Sequence, residues 1–494
     1  MRGRDTWVLL ATIVGSSLAF IDATVVALAL PEIQQTFHAS AGDVAWIVEL
    51  YTLVLGSLML LGGALADRYG RKRAFVGGVA LFALGSIGCA FSWSIASMLV
   101  ARVAQAIGGM LYAPASLAIL GNHFSGDARA RAIASWSAFS SLTSTLGPVM
   151  GGVLIDTLGW RSVFWINVPL CAIVIAAALR HVSESRDERA PRNLDWFGAL
   201  LATLGLGGMT YALILASSAG WNDGGVRGAA IGGVVSFAAF VVYERRTRNP
   251  LLPPGLFASK TFSLVNLSTL LLYGATGTLF YELPFAMIQA HGYNALQTAF
   301  AMLPVPIGVI TLSRFAPRLV KRAGVSNVLT AGPLVVALGF ALLALLEPQH
   351  SYWIAFFPGV LAIGIGMGIT VAPLTNTAIG AAGPQHVGIA SGVNTAVARI
   401  AALLAIAALT VLLAAIYDRA MPATPVVLAQ RDRLGGARFD DPVLQQESQR
   451  AFEEGFRGVA AACALLALLA ACARPPSPEP EPRPRDRSSS ELSA

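Results

Sequence analysis

Gly63-Ala64-Leu65-Ala66-Asp67-Arg68-Tyr69-Gly70-Arg71-Lys72-Arg73 is a short, strongly basic turn clamped between two long apolar stretches, with one acid at the end of the first. A cation at mid-bilayer costs roughly 2.5–3.5 kcal/mol on insertion scales. The turn therefore stays at a membrane surface while its flanking runs cross the bilayer. Those runs must be helices, because a lone strand would leave its backbone groups unpaired in hydrocarbon.

Composition agrees. The 494 residues are 55% hydrophobic and 12% charged, with a mean hydropathy of +0.65. Soluble domains carry about 25% charged residues, and apolar runs of ~20 residues account for the deficit. The net charge of +7 does not indicate nucleic acid, because the Lys and Arg residues lie between apolar runs and form no basic face. Cys89, Cys171, Cys463 and Cys472 fall in or beside apolar segments at no metal-like spacing and read as packing residues. The six histidines sit in connections or at span ends without ligand spacing, and no Walker phosphate loop or Ser-His-Asp constellation is present. No enzyme, cofactor or metal is expected.

Fourteen spans are predicted, at 7–30, 45–66, 74–93, 96–121, 132–156, 163–180, 196–217, 225–243, 261–286, 294–314, 327–346, 352–378, 386–415 and 457–473. The first is too long for a signal core and holds Asp22, so it reads as a mature helix. Basic connections alternate: the N-terminus, 67–73, 122–131, 181–195, 244–260 and 315–326 are rich in Lys and Arg. The intervening short loops hold almost none, Arg161 and Arg227 being the exceptions. Even span number and this asymmetry place both termini in the cytoplasm. The outer loop 416–456 carries arginines, but long loops translocate regardless of charge.

The charged stretch 181–195 and the Pro-rich stretch 244–260 divide the chain into a six-span bundle at 1–180, a linker with two extra spans at 181–260, and a six-span bundle at 261–473. A Pro/Glu/Arg/Ser-rich tail at 474–494 reads as disordered. Together with the opening turn, this resembles the major facilitator superfamily, specifically its fourteen-span branch rich in drug:proton antiporters. The resemblance implies an all-α polytopic fold of two six-helix bundles plus two central helices, rocking about a central site.

Further stretches are similar to that branch. They are Leu18-Ala19-Phe20-Ile21-Asp22-Ala23-Thr24 through Pro31 in the first span, and Arg102-Val103-Ala104-Gln105 with Gly108 and Gly109 in the fourth. The fifth carries Gly147-Pro148-Val149-Met150-Gly151-Gly152, and Trp160-Arg161 through Asn167-Val168-Pro169 follows. Asp195-Trp196-Phe197-Gly198 opens the seventh, and Gly388 to Thr395 lies in the thirteenth. Two positions depart from the pattern: Ala106 and Thr143 stand where glycine is usual.

Asp22 and Arg102 are expected at similar depth in antiparallel helices. If the helices are neighbours, the pair either loads and releases a proton as its partner moves, or is a static ion pair fixing register. Glu282 reads as a second titratable group, as an anion facing a cationic substrate, or as an acid reaching outer water. Glu49 reads as a cavity residue or an interfacial carboxylate. Arg399 must face protein or a cavity. Tyr51, Tyr112, Phe139, Tyr273, Phe280 and Tyr281, with Asn394, are candidates for the cavity of a hydrophobic or cationic small molecule. Packing is the competing reading of these aromatics.

Gly147-Pro148 allows a kink, and Gly151 and Gly152 allow close helix approach, so this motif would seal the outer side between the halves. Gly63, Asp67, Arg68, Gly70 and Arg71 are expected to form an inner gate, with Asp67 expected at the N-terminus of the thirteenth helix. The second-half counterpart, Pro317 to Gly324, has Lys321 where the acid belongs. The function expected is proton-coupled export of hydrophobic or amphipathic compounds across a bacterial inner membrane, by a chain sufficient as a monomer. Transport of a single metabolite and a non-transporting receptor or assembly factor are the alternatives.

Overall fold

In hydrocarbon each apolar run must close its backbone hydrogen bonds internally, and this chain does so as a set of long helices. The computed structural model describes residues 3–186, 195–247, 250, 254–345, 351–382 and 387–475; some side chains within helices, most of them between 126 and 145, lie outside the described set. The N-terminal helices are α1 (Gly3–Phe37), α2 (Ala41–Tyr69), α3 (Arg71–Ala90), α4 (Ile95–His123), α5 (Gly126–Leu158) and α6 (Asn167–His181). Then come α7 (Trp196–Ala219) and α8 (Gly224–Glu244). The C-terminal helices are α9 (Lys260–Phe285), α10 (Ala295–Met302 with Pro304–Ser313), α11 (Val325–Leu345), α12 (Phe357–Ala381), α13 (Val387–Ala420) and α14 (Pro442–Cys472). Thirteen helices among the described residues are long and apolar enough to cross a bilayer, and α5 adds the fourteenth, with Leu146–Leu158 as its described apolar stretch.

Local chemistry sets the outer turns. Ser40 and Asp43 form a reciprocal capping box at the start of α2, and Asn294 with Gln297 does the same for α10. Pro304 lacks an N–H, so α10 breaks at Leu303. Just after Pro284, α9 widens into a π-helical turn, Ala286–Ala290.

The two bundles match partner for partner. In the first, α1 packs on α5 and α6, α4 on α2 and α3, and α3 on α6. In the second, α9 packs on α13 and α14, α12 on α10 and α11, and α11 on α14. The halves meet through α5 on α10, α2 on α13 and α1 on α9. The extra pair is peripheral: α7 wedges between α2 and α13, one helix from each half, and α8 packs on α7. Only 17% of the apolar window of α8 is buried, which leaves most of it for lipid.

On one side, Val25, Ile33 and Ile47 of the first half share a single apolar core with Leu279, Met302 and Leu413 of the second. On the other side the halves keep separate cores, one around Val79, Tyr112 and Ile119 and another around Val265, Leu329 and Leu374. The side with separate cores carries the basic turn. There Arg4 donates to the His181 carbonyl at 3.0 Å, and the Arg71 N–H donates to the Ser185 carbonyl at 2.8 Å. The molecule is thus closed on the side opposite the basic turn, the outer side of the expected orientation.

The outer loop differs from its expected form. Helix α14 begins at Pro442, fifteen residues before the expected 457. Gln445, Gln446, Glu447 and Arg450 make these turns polar, so they project beyond the bilayer and hydropathy does not report them. The rest of the loop folds inward over the junction of the halves: Gln34 Nε2 donates to the Arg433 carbonyl at 3.0 Å, and Gln289 Nε2 donates to Gln34 Oε1 at 2.9 Å. Much of the 474–494 tail, and Arg189, Arg192 and Arg248 of the basic connections, lie outside the described residues.

Candidate functional site

Helices α1 and α4 run antiparallel within one bundle and bring Asp22 and Arg102 together. Arg102 NH1 donates to Asp22 Oδ2 at 2.6 Å, and both side chains are about fully buried, at 0% and 1% exposure. The guanidinium uses its other donors too. Its Nε reaches the Ile47 carbonyl at 2.9 Å, NH1 also reaches Gln105 Oε1 at 2.9 Å, and the plane lies 4.2 Å from the centre of the Tyr51 ring. A fork of donors over an aromatic face is a job for Arg, and Lys would lose most of it.

Gln105 belongs to this centre, although its place in the sequence motif did not mark it as a site residue. Its Nε2 donates to Ser86 Oγ at 2.7 Å and to Asp22 Oδ1 at 3.3 Å, and Asn167 Nδ2 donates to the same Ser86 hydroxyl at 3.3 Å. Both side chains that bond the acid thus come from α4, and Gln105 is in turn braced by Ser86 of α3, with Asn167 of α6 behind it. Close approach of α3 and α4 makes this possible: a Cβ on Gly108 would stand 2.6 Å from the Gly78 carbonyl oxygen.

Among the other expected site residues, Tyr51 and Tyr112 are buried, and Tyr112 meets Phe82 edge-on at 5.6 Å. Arg399 packs on α2 beside Gly56, within electrostatic range of Tyr51 and Tyr112. Asn394 donates to Thr269 Oγ1 at 2.8 Å and Asn266 Oδ1 at 3.2 Å, joining α13 to α9. Tyr273 and Phe280 are partly buried against the shared core, and Tyr281 is buried 5.4 Å from Phe285. Phe139 stands apart, 53% exposed on α5. Glu49 and Glu282 are 0% and 3% exposed, so neither reaches outer water. The interfacial readings of both fail, because the inward-folded outer loop and the opposing half cover positions that would otherwise lie near a helix end.

The expected outer-seal motif on α5 packs against both α1 and the other half. Cβ atoms on Gly147 and Gly151 would lie 2.7 Å from Thr24 Oγ1 and 2.4 Å from Val25 Cγ1, so the helix packs tightly on α1. Gly152 faces the other half, where a Cβ would lie 2.7 Å from Leu296 Cα. One turn further, Asp156 accepts the Ala295 and Leu296 N–H groups, each at 3.0 Å, at the N-terminus of α10. A carboxylate there satisfies orphan donors and the helix dipole across the junction of the halves. Sequence reading missed Asp156; its only signal was its i+4 spacing from Gly152, which puts both on one helix face. Beside Pro148 a void of about 110 Å³ spans both halves, lined by Thr24, Pro148, Phe280, Met302, Leu303 and Pro306.

At the inner turn, Asp67 Oδ1 accepts Arg71 Nε at 2.7 Å. Arg68 is exposed 5.0 Å from the Tyr69 ring, and a Cβ on Gly63 would make an ordinary contact with Pro114 at 3.5 Å. Gly70 adopts φ +117° where Glu184 folds in, its carboxylate accepting the Lys72 N–H at 3.0 Å and the Arg73 N–H at 3.2 Å. The expected position of Asp67 against the start of α13 involves 383–386, which lie outside the described residues, as do the side chains of 387–389. The second-half counterpart forms a short helix, Ala316–Ala323, ending at Gly324.

Comparison with known proteins agrees with this architecture. The chain is 34% identical over 409 residues to the multidrug resistance protein Stp of Mycobacterium tuberculosis, covering 82% of this chain and 75% of that one. It is 32% identical over 423 residues to the tetracenomycin C resistance and export protein of Streptomyces glaucescens, covering 84% and 77%. In fold it is similar to a bacterial homologue of the human lysosomal transporter Spinster, solved inward-facing and unoccupied, with a TM-score of 0.66 at 17% identity over 97% of this chain and all of that one. The family model described as Major Facilitator Superfamily matches residues 12–406. With paired bundles, a match over most of its length and relatives named for drug resistance, this chain belongs to the major facilitator superfamily and is a multi-pass membrane transporter of that family.

Proposed function

We propose that the protein exports hydrophobic or amphipathic compounds in exchange for protons, by alternating access, in the bacterial inner membrane with both termini cytoplasmic. The observation that carries this reading is the Asp22–Arg102 pair: a fully buried acid whose counter-ion comes from another helix of the same bundle. A shift of α1 against α4 within the bundle that accompanies rocking and lengthens the 2.6 Å contact would leave the carboxylate without its cation, free to take up a proton. Substrate then meets the cavity between the halves, where Tyr51, Tyr112, Tyr281, Phe280 and Tyr273 supply aromatic surface and Asn394 and Arg399 supply polar groups. The outer closure seen here and the separate inner cores suit the cytoplasm-facing stage of such a cycle. The relatives named for resistance and export support the direction outward. One chain carries both halves, so a monomer suffices.

The test uses reconstituted vesicles. Substrate addition should dissipate an imposed pH gradient with the wild-type protein, and Asp22→Asn should abolish that exchange while substrate binding persists. Wild-type exchange rates in Asp22→Asn would remove Asp22 from proton coupling. Absence of any substrate-dependent proton flux in the wild type would sink the antiporter reading and favour a receptor.

The inner turn is proposed as a gate. Its acid, Asp67, anchors Arg71, and this contact helps hold the turn against α13 while the cytoplasmic side is closed. Asp67→Asn is expected to slow cycling several-fold with little change in substrate affinity, measured as maximal transport rate against half-saturating concentration. A large affinity loss with an unchanged maximal rate would overturn the gating role.

A further inference from the structure

We propose that Asp156 is a latch between the two halves on the closed side, and that the start of α10 must leave it for this side to open. This rests on the alternating-access reading above, and on nothing about protons or substrate.

A helix start leaves its first four N–H groups without intrahelical partners. At α10 the helix's own side chains satisfy two of them. Gln297 Oε1 accepts the Asn294 N–H at 3.0 Å, and Asn294 Oδ1 accepts the Gln297 N–H at 2.7 Å. The two left over, on Ala295 and Leu296, each go to one oxygen of Asp156, at 3.0 Å. Asp156 stands on α5 of the first half, and α10 belongs to the second. The capping of α10 is therefore complete only while the halves touch.

The same chemistry occurs within one half, where rocking cannot break it. Glu184, just after α6, accepts the Lys72 and Arg73 N–H groups at the start of α3 in the same bundle. Asp156 differs in reaching across. Arg161, the next cation along the chain, is committed elsewhere: it donates to the Ser92 carbonyl at 3.2 Å and lies 4.2 Å from the Trp160 ring. Glu32 of α1 is within electrostatic range and of like charge, so the positive end of α10 is the favourable partner. Gln34 also bonds across the junction, to Gln289 and to the Arg433 carbonyl, but as a neutral amide. A carboxylate on two N–H groups is charge-assisted and stronger bond for bond.

The latch is also rigidly placed relative to the buried ion pair. Cβ atoms on Gly147 and Gly151 would stand 2.7 Å from Thr24 Oγ1 and 2.4 Å from Val25 Cγ1, so α5 has no room to slide against α1 just beyond Asp22. Gly152 lets the α10 backbone come close enough for a short Asp side chain to reach it, its Cβ falling 2.7 Å from Leu296 Cα. A displacement of α1 near Asp22 is thus carried by α5 to its contact with α10. Opening this side gives the two N–H groups to water and takes the helix dipole from the carboxylate. That loss weights the balance toward the closed state.

The test counts open and closed molecules of the full-length protein without substrate. Spin labels at Trp93→Cys and Trp353→Cys, exposed positions of the two halves, in a Cys472→Ser background give the distance distribution. Asp156→Asn keeps the shape and loses the charge, and should raise the open-to-closed ratio about two- to fivefold. Asp156→Ala loses the acceptors as well, and should raise it by up to about thirtyfold. Ala295→Pro removes one donor from the other side of the contact. Proline is tolerated at a first helical position, and Asn294 before it is already extended, with φ −82° and ψ 170°. This variant should raise the ratio by itself and change it much less in the Asp156→Ala background. A cap that only stabilised α10 would lower the thermal midpoint and leave the ratio unchanged, and that result would overturn the latch. An Ala295→Pro effect as large in the Asp156→Ala background as alone would overturn it too. Neither substrate nor a pH gradient is needed, so this outcome is separate from the proton-exchange test of Asp22.

Discussion

Replacing Arg102 by methionine is expected to abolish proton-driven export and to destabilise the folded protein by about 3–5 kcal/mol, the cost of stranding a buried charge. The substitution removes the cation 2.6 Å from Asp22 and leaves the acid one bond, from Gln105 Nε2 at 3.3 Å. It also frees the Ile47 carbonyl and uncovers the Tyr51 ring. Arg102→Lys keeps the charge but not the fork, so it should recover part of the stability and little of the exchange. The pairing Asp22→Asn with Arg102→Met separates two roles. It removes both charges, so thermal stability should return toward wild type while exchange stays absent. If exchange returned as well, the pair would be a static register device.

Gly152→Val is expected to block outer closure and stop transport with the protein still inserted and folded. A Cβ at this position would lie 2.7 Å from Leu296 Cα and 3.0 Å from both the Ala295 oxygen and the Leu296 nitrogen. These are backbone atoms of a capped helix start and cannot rotate aside. Overpacking of this kind costs about 1–3 kcal/mol, which shifts a two-state equilibrium by about 5–150-fold. The readout is the distance between spin labels at Trp93→Cys and Trp353→Cys, exposed positions of the two halves, in a Cys472→Ser background, and it should stay at the open value. Gly77→Ala, where nothing lies within 4 Å of the added atom, is the control and should transport normally. A Gly152→Val protein that closes and transports would show that α5 and α10 are not the outer seal.

The spans, the gathering of the basic connections at one end and the division into two bundles were legible because bilayers impose one-dimensional rules: apolar length, and charge at the surface. The Asp22–Arg102 contact was legible for the same reason, since two opposite charges at one depth in hydrocarbon have few alternatives to each other. Gln105 was visible in its motif but not as a partner, because an amide carries no charge that must be matched.

Other features depended on which surfaces meet. Helix α7 has the mean hydropathy of an ordinary span, 1.8, and only packing puts it between α2 and α13. Asp156 looks like any acid near a helix end until α10 presents two free N–H groups to it. Glu49 and Glu282 each looked able to reach water; the opposing half and the folded outer loop took that water away. Phe139 and Tyr51 are equally aromatic in sequence, yet one is exposed and the other lies under a guanidinium.

The sequence by itself determined that this chain crosses a membrane many times and which charges it carries into hydrocarbon, because every misplaced polar group there costs a high free energy. Only the tertiary structure decided where the halves touch, which side is closed, and which acids lose their water. Those depend on complementary surfaces brought together from residues more than a hundred positions apart, and no local pattern encodes that meeting.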